Sequence, residues 1–131
     1  MSGKLLIITL FTLSVSLGFS QKTSTCKDFH TGKFIVEDDK DVLILRSEHF
    51  QIEWDKAEKT VSYYKVKWIS GCECRLQLYR TTNKNEEWML GKNFKFKITK
   101  LKESSCTYEI SIPGMDLTDT GRLKKIGEIK F

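Results

Sequence analysis

Beyond residue 30, apolar and polar residues alternate at period two over most of the chain, the spacing of β-strands with one buried face. The clearest case is YYKVKWISGCECRLQLYR, residues 63–80. Tyr64, Val66 and Trp68 share one face and Lys65 and Lys67 the other. Beyond Ser70-Gly71, Cys72, Cys74, Leu76 and Leu78 stand opposite Arg75, Gln77 and Tyr79. Gly71 permits a tight reversal, so the stretch predicts a central hairpin. A helix would scatter its four basic residues around the whole circumference.

The same alternation places other strands around this hairpin. Gly32 opens one at 33–37, with Phe34 and Val36 on one face. The run Glu37-Asp38-Asp39-Lys40-Asp41 reads as a charged turn, followed by strands at 42–46 and 49–54. In the last of these Phe50, Ile52 and Trp54 share the face assigned to the interior, and Gln51 and Glu53 the other. Downstream, Phe94, Phe96 and Ile98 face in while Lys95 and Lys97 face out. Cys106, Tyr108, Ile110 and Ile112 alternate with polar residues until Pro113-Gly114 stops the strand. Residues 123–131 fit either a last strand or an irregular tail. About seven or eight short strands with regular turns and no helical period predict an all-β antiparallel meander, closed as a small barrel or folded as a sandwich.

The first twenty residues break this pattern. Lys4, an apolar run at 5–17, and the small residues Gly18 and Ser20 read as a secretory signal peptide, 1–20, cleaved before Gln21. Residues 21–131 then form a single domain. The formal net charge of +5 falls by one with Lys4, which keeps a small domain soluble without implying a polyanionic partner. All 4 cysteines, Cys26, Cys72, Cys74 and Cys106, lie in the exported part, which predicts two disulfides. A Cys72–Cys74 bridge would close a very tight loop. Of the two pairings left, Cys26–Cys72 with Cys74–Cys106 is preferred. It ties the N-terminal segment to the hairpin and joins two strands whose inward faces both carry a cysteine.

No catalytic, metal or cofactor site assembles from the sequence. The acidic turn at 37–41 lacks the ligand spacing and glycine of a calcium loop. His30 and His49, the only histidines, sit at strand edges beside charged residues. Cys72-Glu73-Cys74 has no partner motif that would make it a redox or metal-thiolate pair, and no Gly-x-Ser-x-Gly elbow is present. Lysines 92, 95, 97, 100 and 102 interleave with Phe94 and Phe96, but alternation sends charge out and rings in. No base would stack where the charge sits, so nucleic acid is not expected as a partner. Trp54, Tyr64, Trp68, Phe94, Phe96 and Tyr108 are the inward aromatics. They would fill a closed core or line a ligand pocket, and a filled core is the preferred reading.

Three pieces together, Cys26-x-x-Phe29-x-Thr31-Gly32-Lys33-Phe34, Arg46 with Gln51-x-Glu53, and Val66-x-Trp68-x-x-x-Cys72-Glu73, resemble a group of small exported flavobacterial proteins of unassigned activity. The similarity covers most of residues 26–98. It implies a secreted or periplasmic all-β domain, in a Gram-negative envelope or beyond it, with Cys26 and Cys72 paired. In that pattern position 74 is more often aromatic, so Cys74 and Cys106 would add a second bridge. Proteins of this kind are sometimes labelled as a DNA topoisomerase subunit. This chain is far too short for that enzyme and has no nucleotide-binding loop. Gly32-Lys33-Phe34 also resembles the Gly-x-Trp that opens lipocalin-like barrels.

These readings converge on a non-enzymatic binding or interaction module, whose partner is an envelope or extracellular protein, a glycan or a small apolar ligand. It would meet the membrane only through its signal peptide. The alternatives are a lipocalin-like carrier of a small apolar ligand and, ranked last, a hydrolase or redox enzyme.

Overall fold

The computed structural model describes residues 24–129, in which eight antiparallel strands close into one barrel. In chain order they are β1 Gly32–Val36, β2 Asp39–Arg46, β3 Phe50–Asp55, β4 Thr60–Trp68, β5 Glu73–Thr81, β6 Asn93–Leu101, β7 Ser105–Ser111 and β8 Thr118–Gly127. Each strand pairs with the next and β8 returns to β1, so no sheet edge is left open. The barrel rather than the sandwich is formed, and the ambiguous C-terminal stretch supplies its closing strand. The segment read as a signal peptide lies outside the described residues.

Two short 3-10 helices, which the strand period did not reveal, lie at the two ends. Helix η1, Cys26–Phe29, precedes β1 and covers the end carrying the β2–β3, β4–β5 and β6–β7 turns, the floor. Helix η2, Lys84–Met89, lies in the β5–β6 connection at the opposite end, the mouth. Asn83 caps η2 by accepting the Asn85 N–H at 3.0 Å. The Cys26–Cys72 disulfide fastens η1 to the β4–β5 turn. Beside it His30 Nε2–H donates to the Gly71 carbonyl at 2.7 Å, and its ring stacks on Trp68 with centroids 3.5 Å apart.

The expected second bridge is absent: Cys74 and Cys106 are free, buried thiols. Strand β6 runs between their strands, with Cys74 opposite Phe96 and Cys106 opposite Leu101. Two strand spacings, about 9.6 Å, already exceed the ~4.4–6.8 Å between α-carbons that a disulfide spans. An inward face shared by two strands is not proximity.

Strand β3 corrects the sequence reading more deeply. Trp54, assigned to the interior, points outward and is 45% exposed, and Phe50 is 51% exposed. Directly opposed residues in an antiparallel pair share a face. Register therefore puts Ile44 with Glu53 and Arg46 with Gln51 inside, and Leu43 with Trp54 and Leu45 with Ile52 outside. With Ile44 and Arg46 buried on β2, the polar face of β3 has to turn into the barrel. Its apolar face joins an outer ribbon with Val61 and Tyr63 of β4. On that ribbon Lys56 lies over Trp54, Lys65 over Tyr79 and Arg80 over Tyr63.

The candidate binding cavity inside the barrel

Arg46 is fully buried on the floor of the barrel. Its guanidinium lies 4.7 Å from the Phe96 centroid, 5.5 Å from Phe34 and 5.9 Å from Trp68, a cation enclosed by ring faces. Arg46 Nε–H donates to Gln51 Oε1 at 2.8 Å and Nη1–H to the Phe29 carbonyl at 2.9 Å, joining β3 and η1 to the floor. Nη2 has no partner although it is buried. Burial lowers the pKa of the guanidinium against the opposing pull of nearby groups.

Above this floor a partly open cavity enters the barrel among inward side chains that are otherwise packed as a core. This cavity of ≈ 290 Å³ is lined by apolar residues, among them Ile44, Leu76, Phe94, Phe96, Ile110 and Leu123. Arg46, Gln51, Glu53, Tyr64, Glu86, Tyr108 and Asp119 add polar groups to the same lining. The combination of apolar walls and a few convergent polar groups is that of small-molecule sites.

The carboxylates cluster toward the mouth. Glu53 lies opposite Ser62 across the β3–β4 ladder. The Ser62 hydroxyl donates to Glu86 Oε1 at 2.8 Å, so the strand glutamate and the helix glutamate flank one serine. Thr81 Oγ1 lies 3.4 Å from the same Glu86 oxygen. Burial, and then the charges of Glu86 and Asp55, push Glu53 up to about 7. Burial also raises Tyr64, and it raises Tyr108 to about 12, with the Glu53 charge adding in both cases. The Tyr108 ring stacks on Phe96 at 4.9 Å between centroids and crosses β8 at Gly121. A β-carbon there would lie 2.4 Å from the phenol oxygen, so glycine makes room for the ring.

Outside the cavity, Trp88, Met89, Ile112 and Leu117 border an apolar groove of ≈ 280 Å³. Met89, Phe94, Ile110 and Asp119 line both spaces, so the groove adjoins the cavity at the mouth. Trp88 and Leu117, 53% and 57% exposed, form its rim.

Of the residues singled out in the sequence, Tyr64, Phe94, Phe96 and Tyr108 line the cavity. Trp68 belongs to the floor with Arg46 and His30, and its indole N–H is buried without a partner. Trp54 is on the outer wall. Cys74 and Cys106 are inward and buried, and desolvation pushes each thiol up to about 11 against the pull of Arg46. The histidines do not meet: His30 is held at the floor and His49 is exposed in the β2–β3 turn. Among the described residues, no group of three or more His, Cys, Asp or Glu side chains converges as a metal site would. Sequence reading did not single out Glu53, Glu86 or Arg46 as site residues. The available signal was the two-faced pattern of β3, in which Gln51 and Glu53 alternate with aromatics. Comparison of the chain with protein-family models, with curated proteins and with solved structures gives no match.

Proposed function

We propose that this protein is an exported, lipocalin-like binding protein that holds a small molecule with an apolar body in its barrel cavity. The observation that carries the reading is the ≈ 290 Å³ space bounded by apolar side chains and a few inward polar groups. Apolar walls without a filling side chain forgo packing contacts that a bound apolar body would supply. The groove at the mouth gives a ligand an apolar approach. The disulfide and the N-terminal apolar run accord with a secreted or periplasmic setting.

The test is native mass spectrometry of the unreduced protein purified from its own envelope or medium. A copurifying mass that is lost on denaturation is the expected result. It should also be lost when the cavity is filled by Ile110→Trp in a protein that still folds. A bare mass, together with no binding of apolar probes, would overturn the carrier reading. A second reading, an interaction module, draws on the outer ribbon, where Phe50, Trp54 and Tyr79 are exposed beside stacked cations. It would gain if the bare protein recovered a partner through that face.

A further inference from the structure

Charge in the cavity runs opposite to charge on the chain. The sequence is net +5, yet among the described residues the cavity is lined by Glu53, Glu86 and Asp119 against one cation, Arg46. Glu53 and Glu86 approach one place from two elements. Glu53 is the cross-strand partner of Ser62, and Ser62 donates its hydroxyl to Glu86 at 2.8 Å. Opposed residues on neighbouring strands lie ~5 Å apart at their β-carbons, so Glu53 and Glu86 face the same small volume. Burial beside the Glu86 charge pushes Glu53 toward its protonated form, and a cation between the two would offset that cost.

A second feature is independent of the carboxylates. Arg46 Nη2 is a fully buried N–H donor on the floor of the same cavity, and it has no acceptor. Buried donors without partners are rare, and this one belongs to a residue of the cavity lining. The floor therefore lacks an acceptor and the mouth lacks a cation. Gln51, which accepts from Arg46, and Glu53 are two residues apart on β3, a span of about 7 Å.

We propose that the ligand of this cavity is a small organic amine. Its ammonium lies between Glu53 and Glu86, and its far end offers a hydrogen-bond acceptor to Arg46 Nη2. This deepens the carrier reading and rests on it. The faces of Tyr64, Phe94 and Tyr108 suit both an apolar body and a cation beside it. A hard metal ion is poorly served by such walls, because it needs about six or more oxygens.

The groups facing Glu53 set the pH dependence. They are Asp39 and Arg46 of β2, Asp55 of its own strand, Tyr64 of β4, Glu86 of η2, Tyr108 of β7 and Asp119 of β8. An ammonium favours ionised Glu53, so amine affinity rises with pH through about 7, the value to which Glu53 is pushed. It falls again only where the amine itself loses its proton.

The experiment is titration calorimetry on the disulfide-intact protein with four probes. They are tyramine, its uncharged counterpart 4-ethylphenol, the anion 3-(4-hydroxyphenyl)propionate, and phenethylamine, which lacks the phenol acceptor. At pH 8 tyramine is expected to bind at least about tenfold tighter than either 4-ethylphenol or phenethylamine, and the anion weakest, a tenfold step being ~1.4 kcal/mol. The preference for tyramine over 4-ethylphenol should shrink about tenfold at pH 5.5. Glu53→Gln and, separately, Glu86→Gln should remove the preference for tyramine over 4-ethylphenol. Folding of each variant is checked by circular dichroism. Equal binding of tyramine and 4-ethylphenol, or tightest binding of the anion, overturns the amine proposal and leaves the carrier reading standing. Failure of all four probes together with a bare native mass overturns both.

Discussion

Glu53 is a charge the barrel holds at a cost. Its carboxyl is pushed from 4.5 to about 7 by burial and by the neighbouring Glu86 and Asp55 charges. Because the folded-state value lies above the unfolded one, the folded chain holds the proton more tightly. The contribution of Glu53 to stability is therefore fully present below about pH 4.5 and is lost as pH rises through 7. Glu53→Gln should raise stability by about 2–3 kcal/mol at pH 8 and change it little at pH 4. Urea unfolding at the two pH values reads this, and a variant less stable at pH 8 would contradict it. The aromatics separate just as sharply. Phe96, 3% exposed and packed against Arg46 and Tyr108, should cost roughly 3–5 kcal/mol when cut to alanine. Trp54→Ala on the outer wall should cost under about 1 kcal/mol. Similar losses at both positions would return Trp54 to the core.

At the scale of elements, β3 is where sequence and structure part. Period two divides a strand into two faces without saying which turns inward, and hydrophobicity alone chooses Phe50, Ile52 and Trp54. Pairing decides otherwise: Arg46 is buried on β2 and its opposed residue Gln51 accepts its N–H, so the polar face follows. A strand such as β6, with one charged face and one apolar face, was legible in its orientation, whereas β2 carries Leu43 and Leu45 outside and Ile44 and Arg46 inside and was not. Lys95 and Lys97 of β6 are exposed and Phe94, Phe96 and Ile98 are buried, as read. The cysteines repeat the lesson, since Cys74 and Cys106 share an inward face but lie on strands separated by β6. In the folded protein at pH 8 these thiols, both pushed up to about 11, should resist iodoacetamide. Two alkylations per unreduced chain should follow in denaturant, and none there would establish a second bridge. The Cys26–Cys72 bridge closes a loop with a sequence separation of 46 and pins η1, which accepts an N–H of Arg46 through the Phe29 carbonyl. Replacing both cysteines by serine should cost about 2–4 kcal/mol. It should also expose the floor amides to hydrogen exchange before those of β4 and β5.

For the whole molecule, the antiparallel meander was legible because its strands are short, regularly spaced and alternating, while the choice of closed barrel over sandwich was not. Nor was the cavity. Whether a barrel of this size is filled depends on the summed volume of its inward side chains. Turning Gln51 and Glu53 inward while Trp54 turns outward removes a large ring from that sum. The interior that results has apolar walls, a buried cation at its floor and carboxylates near its mouth, and the central claim is that this space is the binding site. The most direct test is nitrogen–proton correlation NMR of the labelled protein titrated with tyramine at pH 8. The account predicts saturable shifts at Glu53, Tyr64, Phe94 and Tyr108 and at the side chain of Arg46, with the outer ribbon unmoved. Shifts confined to Phe50, Trp54 and Tyr79 on the outside of the barrel would contradict it.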